Sequence, residues 1–223
     1  MNKIIFPVYN QNVTANGERT GIKMKLIEKS ILLGCVLTVL LTMTGFAGRC
    51  EMIENKVFRL HVLANSDSEE DQALKLKVRD RILSYSDELF DQAQTKEDAE
   101  MLSQNSLEEI KLVAEEEIHK QGYDYPVRVE LTNMYFNTRH YQEITMPAGR
   151  YDALRILIGS GKGKNWWCVM FPPMCLPAAE ESKELEDVLS ASELKLVQGG
   201  TKYEIKFKCV ELFETMKNQL CLQ

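Results

Sequence analysis

The sequence predicts an α+β fold: a single extracytoplasmic domain with a small, mostly antiparallel sheet and two long amphipathic helices, preceded by a signal peptide. Three observations carry this. A charge-free apolar stretch, Ser30–Gly48, follows Lys23, Lys25 and Lys29 and precedes Arg49. Two segments of helical apolar spacing then run between Ser68 and Gly122. Beyond Pro126 the pattern changes to β-branched and aromatic runs punctuated by Gly and Pro.

A positive flank, an apolar core and small residues at its end are the marks of a signal peptide. Gly45-Phe-Ala47 suits a small-x-small cleavage site, so the cut is expected after Ala47. An uncleaved anchor is the other reading, since about 17–25 apolar residues suffice to cross a bilayer. Either way the lysines stay inside and the bulk of the chain lies outside. Arg49 ahead of Cys50 argues against a lipoprotein, where a small residue is expected. Residues 1–23 are polar and displace the charged flank from the start, whereas Met24-Lys-Leu-Ile-Glu-Lys opens an ordinary signal peptide. The expected organisation is an N-terminal extension over 1–23 with Met24 as the start, a signal peptide or anchor over 24–47, and one domain over 48–223.

The full chain has a net charge of −6. Met1–Ala47 holds five Lys/Arg and two Asp/Glu, which leaves 22 basic against 31 acidic side chains, a net −9. That balance argues against nucleic acid, which needs a basic surface, and against peripheral binding to anionic lipid. Removing 47 of 223 residues leaves 176, enough for one core.

Val57–Ala64 alternates as a first strand, with Phe58, Leu60 and Val62 on one face and Arg59, His61 and Leu63 on the other. Ser68, with Asp71 three residues on, caps a helix whose stripe is Leu74, Val78, Ile82, Tyr85 and Leu89. Thr95 and Asp98 open a second helix, closed by Gly122, that buries Leu107, Ile110, Ala114 and Ile118. Val127–Leu131 and a less regular Tyr135–Glu143 are strands, and Met146-Pro-Ala-Gly149 is a turn. Tyr151–Ile158 is nearly continuous in apolar character and predicts a central strand. Gly159–Lys164 is expected to turn as a hairpin into Trp166–Phe171, which Pro172-Pro173 ends. Glu180–Lys195 predicts helical pieces, Gly199-Gly200 a break, and Phe207, Val210, Phe213 and Met216 a final amphipathic helix.

No reaction is legible in these residues. Gly159-Ser-Gly-Lys-Gly-Lys164 lacks the spacing and the Ser/Thr of a phosphate loop. His61, His119 and His140 have no metal-ligand spacing, and no nucleophile elbow or His-Glu-x-x-His is present. Catalytic residues, cofactor and metal are therefore all expected to be absent. Cys168 and Cys175 flank the proline pair, which can bring them within disulfide reach; two reduced buried thiols are the alternative. Cys209 and Cys221 are about 18 Å apart on one straight helix and cannot pair with each other. Trp166 and Trp167 point to opposite faces of a regular strand.

Three segments carry a family resemblance. They are Arg59-Leu-His-Val-Leu-Ala-Asn-Ser-Asp-Ser-Glu-Glu-Asp-Gln-Ala-Leu-Lys-Leu-Lys-Val-Arg-Asp80, Pro147-Ala-Gly-Arg-Tyr-Asp-Ala-Leu-Arg155, and Gly161-Lys-Gly-Lys-Asn-Trp-Trp-Cys-Val-Met-Phe-Pro-Pro-Met-Cys175. Together and in this order they resemble the stage II sporulation protein R family, from about Phe58 to Cys175 and more weakly through Lys206–Phe213. Departures are the extension before Met24 and Met174, where a bulkier apolar residue is expected. The resemblance implies a non-enzymatic signalling protein made in the forespore and exported into the intermembrane space between forespore and mother cell. Its implied partner is the membrane-embedded aspartic peptidase that processes pro-sigma-E, the sporulation sigma-E factor-processing peptidase, with no nucleic acid and no small-molecule substrate. Two partner-binding surfaces are expected on that reading. One is the corner Asn65, Ser66, Asp67 and Asp71, for which helix capping is the competing account. The other is Trp166, Trp167, Pro172 and Pro173, where tryptophan anchors suit an interface. An exported cysteine hydrolase using Cys168 with His140, or a cell-wall scaffold, are the alternatives.

Overall fold

The computed structural model describes residues 14–141, 144–172, 188–199 and 203–221. The chain forms two compact units, Met1–Phe46 and Ala47–Gln223. The first is built on helix α1 (Thr14–Glu54). Within it Lys25–Glu54 has a mean hydropathy of 2.1, and Ile31, Leu32, Leu37 and Leu41 are exposed around the helix. Thirty residues reach about 45 Å, more than a bilayer core. The hydroxyls of Ser30, Thr38, Thr42 and Thr44 donate back to helix carbonyls at 2.8–3.0 Å, so no side-chain donor among them is left to an apolar solvent.

In the second unit the last turns of α1 bury Cys50 and Ile53, and Glu54 accepts the Arg150 N–H at 3.1 Å. The strands are β1 (Phe58–Leu63), β2 (Val127–Phe136), β3 (Arg139–Tyr141), β4 (Ile144–Met146), β5 (Gly149–Ile158) and β6 (Asn165–Phe171). Four form a sheet in the order β2-β5-β1-β6, and β3 pairs with β4. β5 runs antiparallel to β2 and parallel to β1, and β1 runs antiparallel to β6. Two of three pairings are thus antiparallel, and β5 is central as its apolar run predicts.

Helices α2 (Glu69–Leu89), α3 (Lys96–Asn105) and α4 (Leu107–Lys120) follow β1. Ser68 Oγ accepts the Asp71 N–H at 3.2 Å, and Thr95 and Asp98 form a reciprocal capping box. Phe58, Leu60 and Val62 of β1, with Leu154, Ile156 and Ile158 of β5, pack on Leu74, Val78 and Ile82 of α2 and Ile110, Ala114 and Ile118 of α4. Each such side chain contributes about 1.5–3 kcal/mol by leaving water. The single helix expected between Thr95 and Gly122 is two. At Ser106 (φ −110°, ψ 13°) the backbone leaves helical geometry, and its N–H closes α3 on Leu102 and Ser103. Asn105-Ser106 is a weak helix-forming pair, because both side chains compete for backbone groups. Leu107 is only half-buried, whereas Gly122 closes α4 at φ +85° as expected.

The Gly159–Lys164 segment is not a hairpin turn. β5 and β6 are not neighbours; β1 lies between them. The segment therefore crosses the end of β1, with Gly159 and Gly161 at φ +58° and +61°. All six β1 residues are buried, so its Arg59–His61 face is covered as well as its helix face. Helix α5 (Ala191–Val197) begins at Ser190, and Glu193 there accepts from Lys56 at 2.7 Å. Helix α6 (Glu204–Cys221) buries Phe207 and Val210 but leaves Phe213 and Met216 exposed, so only half of the expected stripe faces the domain. Residues 180–187 and Gly200 lie outside the described residues.

Candidate partner-binding surfaces

The strand-to-helix corner is a closed hydrogen-bond network. Asn65 Oδ1 accepts the Ser160 N–H (3.0 Å), and its amide donates to Asp71 Oδ2 (2.9 Å). Ser66 Oγ donates to the same carboxylate oxygen at 2.5 Å. Ser160 Oγ donates to the Asn65 carbonyl (2.6 Å), and the Gly163 N–H to the Ala64 carbonyl (2.9 Å). Burial opposes the charged form of Asp71, but hydrogen bonds from Ser66, Asn65 and Tyr125 outweigh it and hold the carboxyl below its usual value. Four of the polar groups singled out from the sequence therefore bind one another or the crossing loop. Ser68, not Asp67, caps α2; Asp67 Oδ1 accepts the Lys164 N–H at 2.7 Å. Asp67, Glu69 and Glu70 form an exposed acidic rim above the network. That rim and the acidic first turn of α2 oppose an anion at this helix start, in agreement with the absent phosphate-loop spacing.

Asp67→Ala removes the acceptor for the loop and is expected to cost about 1 kcal/mol in chemical denaturation. Asp67→Asn, which keeps an acceptor oxygen, is expected to recover most of it. An unchanged midpoint in the alanine variant would assign Asp67 to contact alone.

Trp166 and Trp167 point to opposite faces of β6, as alternation requires. Trp166 pairs with Val62 on the helix side, and the Arg79 guanidinium sits 4.2 Å from its ring centroid. Trp167 pairs with His61 on the other face and stacks on its imidazole at 3.9 Å and 8°. Phe136 meets the Trp167 ring edge-to-face at 4.7 Å, and Arg139 lies 5.6 Å from it. Both rings are half-buried, so each is part core and part surface. Pro172 is buried, and Pro173 and Cys175 lie outside the described residues. Cys168 is disulfide-bonded to a cysteine outside the described side chains, while Cys35, Cys50 and Cys209 are free.

Sequence reasoning missed what gathers around Trp167. Arg59 is fully buried; its Nε donates to the Cys168 carbonyl (3.0 Å) and its Nη2 to the Tyr141 hydroxyl (2.7 Å). Its guanidinium carbon lies 4.2 Å from the Phe136 ring centroid and 4.9 Å from that of Tyr151. No carboxylate pairs with it among the described residues. The signal was present, since a cation and an imidazole interrupt an otherwise apolar strand. His61 is buried with neither ring nitrogen hydrogen-bonded. Burial, then the Arg155 charge, lowers its pKa to about 4. The unfolded chain takes up this proton near pH 6.5, so stability is complete above that value and falls as pH drops towards about 4. Thermal unfolding of wild type is expected to weaken more steeply across that window than His61→Phe; parallel curves would sink the assignment.

Among the described residues no group of three His, Cys, Asp or Glu side chains could hold a metal. His119 pairs with Asp124 (3.1 Å), and His140 lies 2.9 Å from Thr145 Oγ1 on the β3–β4 hairpin. Among the described residues neither is hydrogen-bonded to a cysteine.

No solved structure matches the chain. The stage II sporulation protein R of Bacillus subtilis (strain 168) is 37% identical over 139 residues, which cover 61% of this chain. The matched region spans 62% of that relative's length. The profile of the stage II sporulation protein R family matches residues 54–181, which take in β1, the corner, the Gly-rich crossing and both tryptophans. The chain belongs to the stage II sporulation protein R family.

Proposed function

We propose that this protein is the exported signal of endospore formation that switches on a membrane-embedded aspartic peptidase, which then cleaves pro-sigma-E in the mother cell. The observation that carries the reading is the pairing of an N-terminal apolar helix with a sporulation-family domain whose corner residues Asn65, Asp67 and Asp71 hydrogen-bond within its own architecture. A ligand of this kind needs no reacting group. It must bind the active state of its receptor more tightly than the inactive one. The half-buried Trp167, the acidic rim at Asp67 and buried Pro172 border the surfaces offered for that contact. The cysteine hydrolase alternative loses its nucleophile, because Cys168 is in a disulfide and lies among the helix-facing core residues.

The test is co-expression with the sporulation peptidase and pro-sigma-E in a non-sporulating host, using the full chain and a form lacking residues 1–47. Processing with the full chain only is the expected result. No processing, with the protein exported and folded, would remove the activator reading and return the scaffold class.

A further inference from the structure

Helix α6 has two apolar faces. Phe207 and Val210 are buried on one, and the Tyr135 hydroxyl donates to the Glu211 carbonyl beside them (3.4 Å). On the other, Ile205, Leu212, Phe213 and Met216 are 80%, 65%, 60% and 53% exposed, with exposed Cys209 among them. At about 100° per residue these five side chains fall within an arc of about 100°. They make a continuous stripe about 16 Å long. No acid lies in the arc. Lys206 and Lys208 stand at its two edges, whereas Glu204 and Glu211 lie farther round towards the domain; Glu211 pairs with Lys208 at 3.1 Å.

An exposed apolar stripe of this extent marks an interaction surface. Lysines at both edges suit anionic headgroups: their stems follow the apolar face and their ammonium groups reach the phosphates. A second copy laid face to face would bring these lysine edges near their own counterparts, a less favourable arrangement. Lys25–Glu54 is long and apolar enough to cross a membrane, and in a chain that retains it lipid contact by the domain is a tethered event. We propose that α6 lies in the plane of the membrane surface and docks on anionic phospholipid through the Ile205–Met216 stripe. The domain's net acidity gives no attraction of its own to anionic lipid, so the contact rests on the apolar stripe and on Lys206 and Lys208 at its edges.

The test uses the full chain with p-benzoyl-phenylalanine in place of Phe213, reconstituted into vesicles of phosphatidylglycerol with phosphatidylcholine and irradiated. A phospholipid adduct at position 213 is expected by peptide mass. It should fall at least about fivefold in phosphatidylcholine alone, and likewise when Lys206→Glu and Lys208→Glu are combined. The same photoprobe at Leu112, an exposed position of α4, is the control for tethering and should give little adduct. The probe at Met216 repeats the reading if the substitution at Phe213 perturbs folding. A cross-link to a second copy, equal adducts at 112 and 213, or indifference to headgroup charge overturns the proposal. No peptidase is present, so failure here leaves the proposed signalling role standing.

Discussion

Arg59→Ala is expected to destabilise the domain by about 4 kcal/mol in chemical denaturation, the largest effect of any single substitution considered. The guanidinium fills space between Phe136, Tyr151 and Tyr141, and truncation leaves a cavity that the β1 backbone cannot close. It also removes the Arg59 donors from the Cys168 carbonyl and the Tyr141 hydroxyl, the latter keeping its bond to the Trp167 carbonyl. Its charge is buried without a carboxylate partner among the described residues, so aromatic faces and two hydrogen bonds must offset desolvation. Arg59→Met keeps most of the volume and removes the desolvation cost. It is expected to lose only about 1–2 kcal/mol. Equal losses in the two variants would mean that charge, not packing, dominates the site. A loss below about 1 kcal/mol for alanine would contradict the packing described.

Gly163→Ala is expected to cost about 3 kcal/mol. An ideal Cβ there would meet the Ser66 carbonyl oxygen at 2.1 Å and its carbon at 2.6 Å. These are backbone atoms, so the crossing loop itself must move. Movement releases the Gly163 N–H from Ala64 and the Lys164 N–H from Asp67. Hydrogen exchange at these two amides should rise along with the loss of stability. Gly48→Ala, whose Cβ meets nothing within 4 Å on helix α1, is the control and should not destabilise. Protected amides in a Gly163→Ala variant of normal stability would sink the account. If the corner is part of the activating surface, the same variant also loses pro-sigma-E processing.

Much of the architecture was legible because it rests on local chemistry. Ser68 with Asp71, and Thr95 with Asp98, announce helix starts through their own hydrogen bonds. The continuous apolar run of β5 requires cover on both faces, which is why its central place could be read from the chain. β6 stops at Phe171, just before Pro172, because proline has no N–H to offer a ladder. The break at Ser106 was less visible, since a Ser-Gln-Asn-Ser run weakens a helix without forbidding it.

The sequence by itself determined the helix caps, the strand alternation, the N-terminal apolar helix and the family to which the chain belongs. Only the tertiary structure decided that β1 stands between β5 and β6, because strand order depends on which edges pair and not on how the strands follow one another. That placement turned a glycine-rich turn into a crossing, and the crossing hydrogen-bonds to Asn65 and to Asp67 Oδ1 while Ser66 turns to Asp71. The same placement buried Arg59 and His61 beside Trp167, through pairing with β5 and β6 over separations of about a hundred residues. Local propensity is blind at that distance; long-range burial decides there.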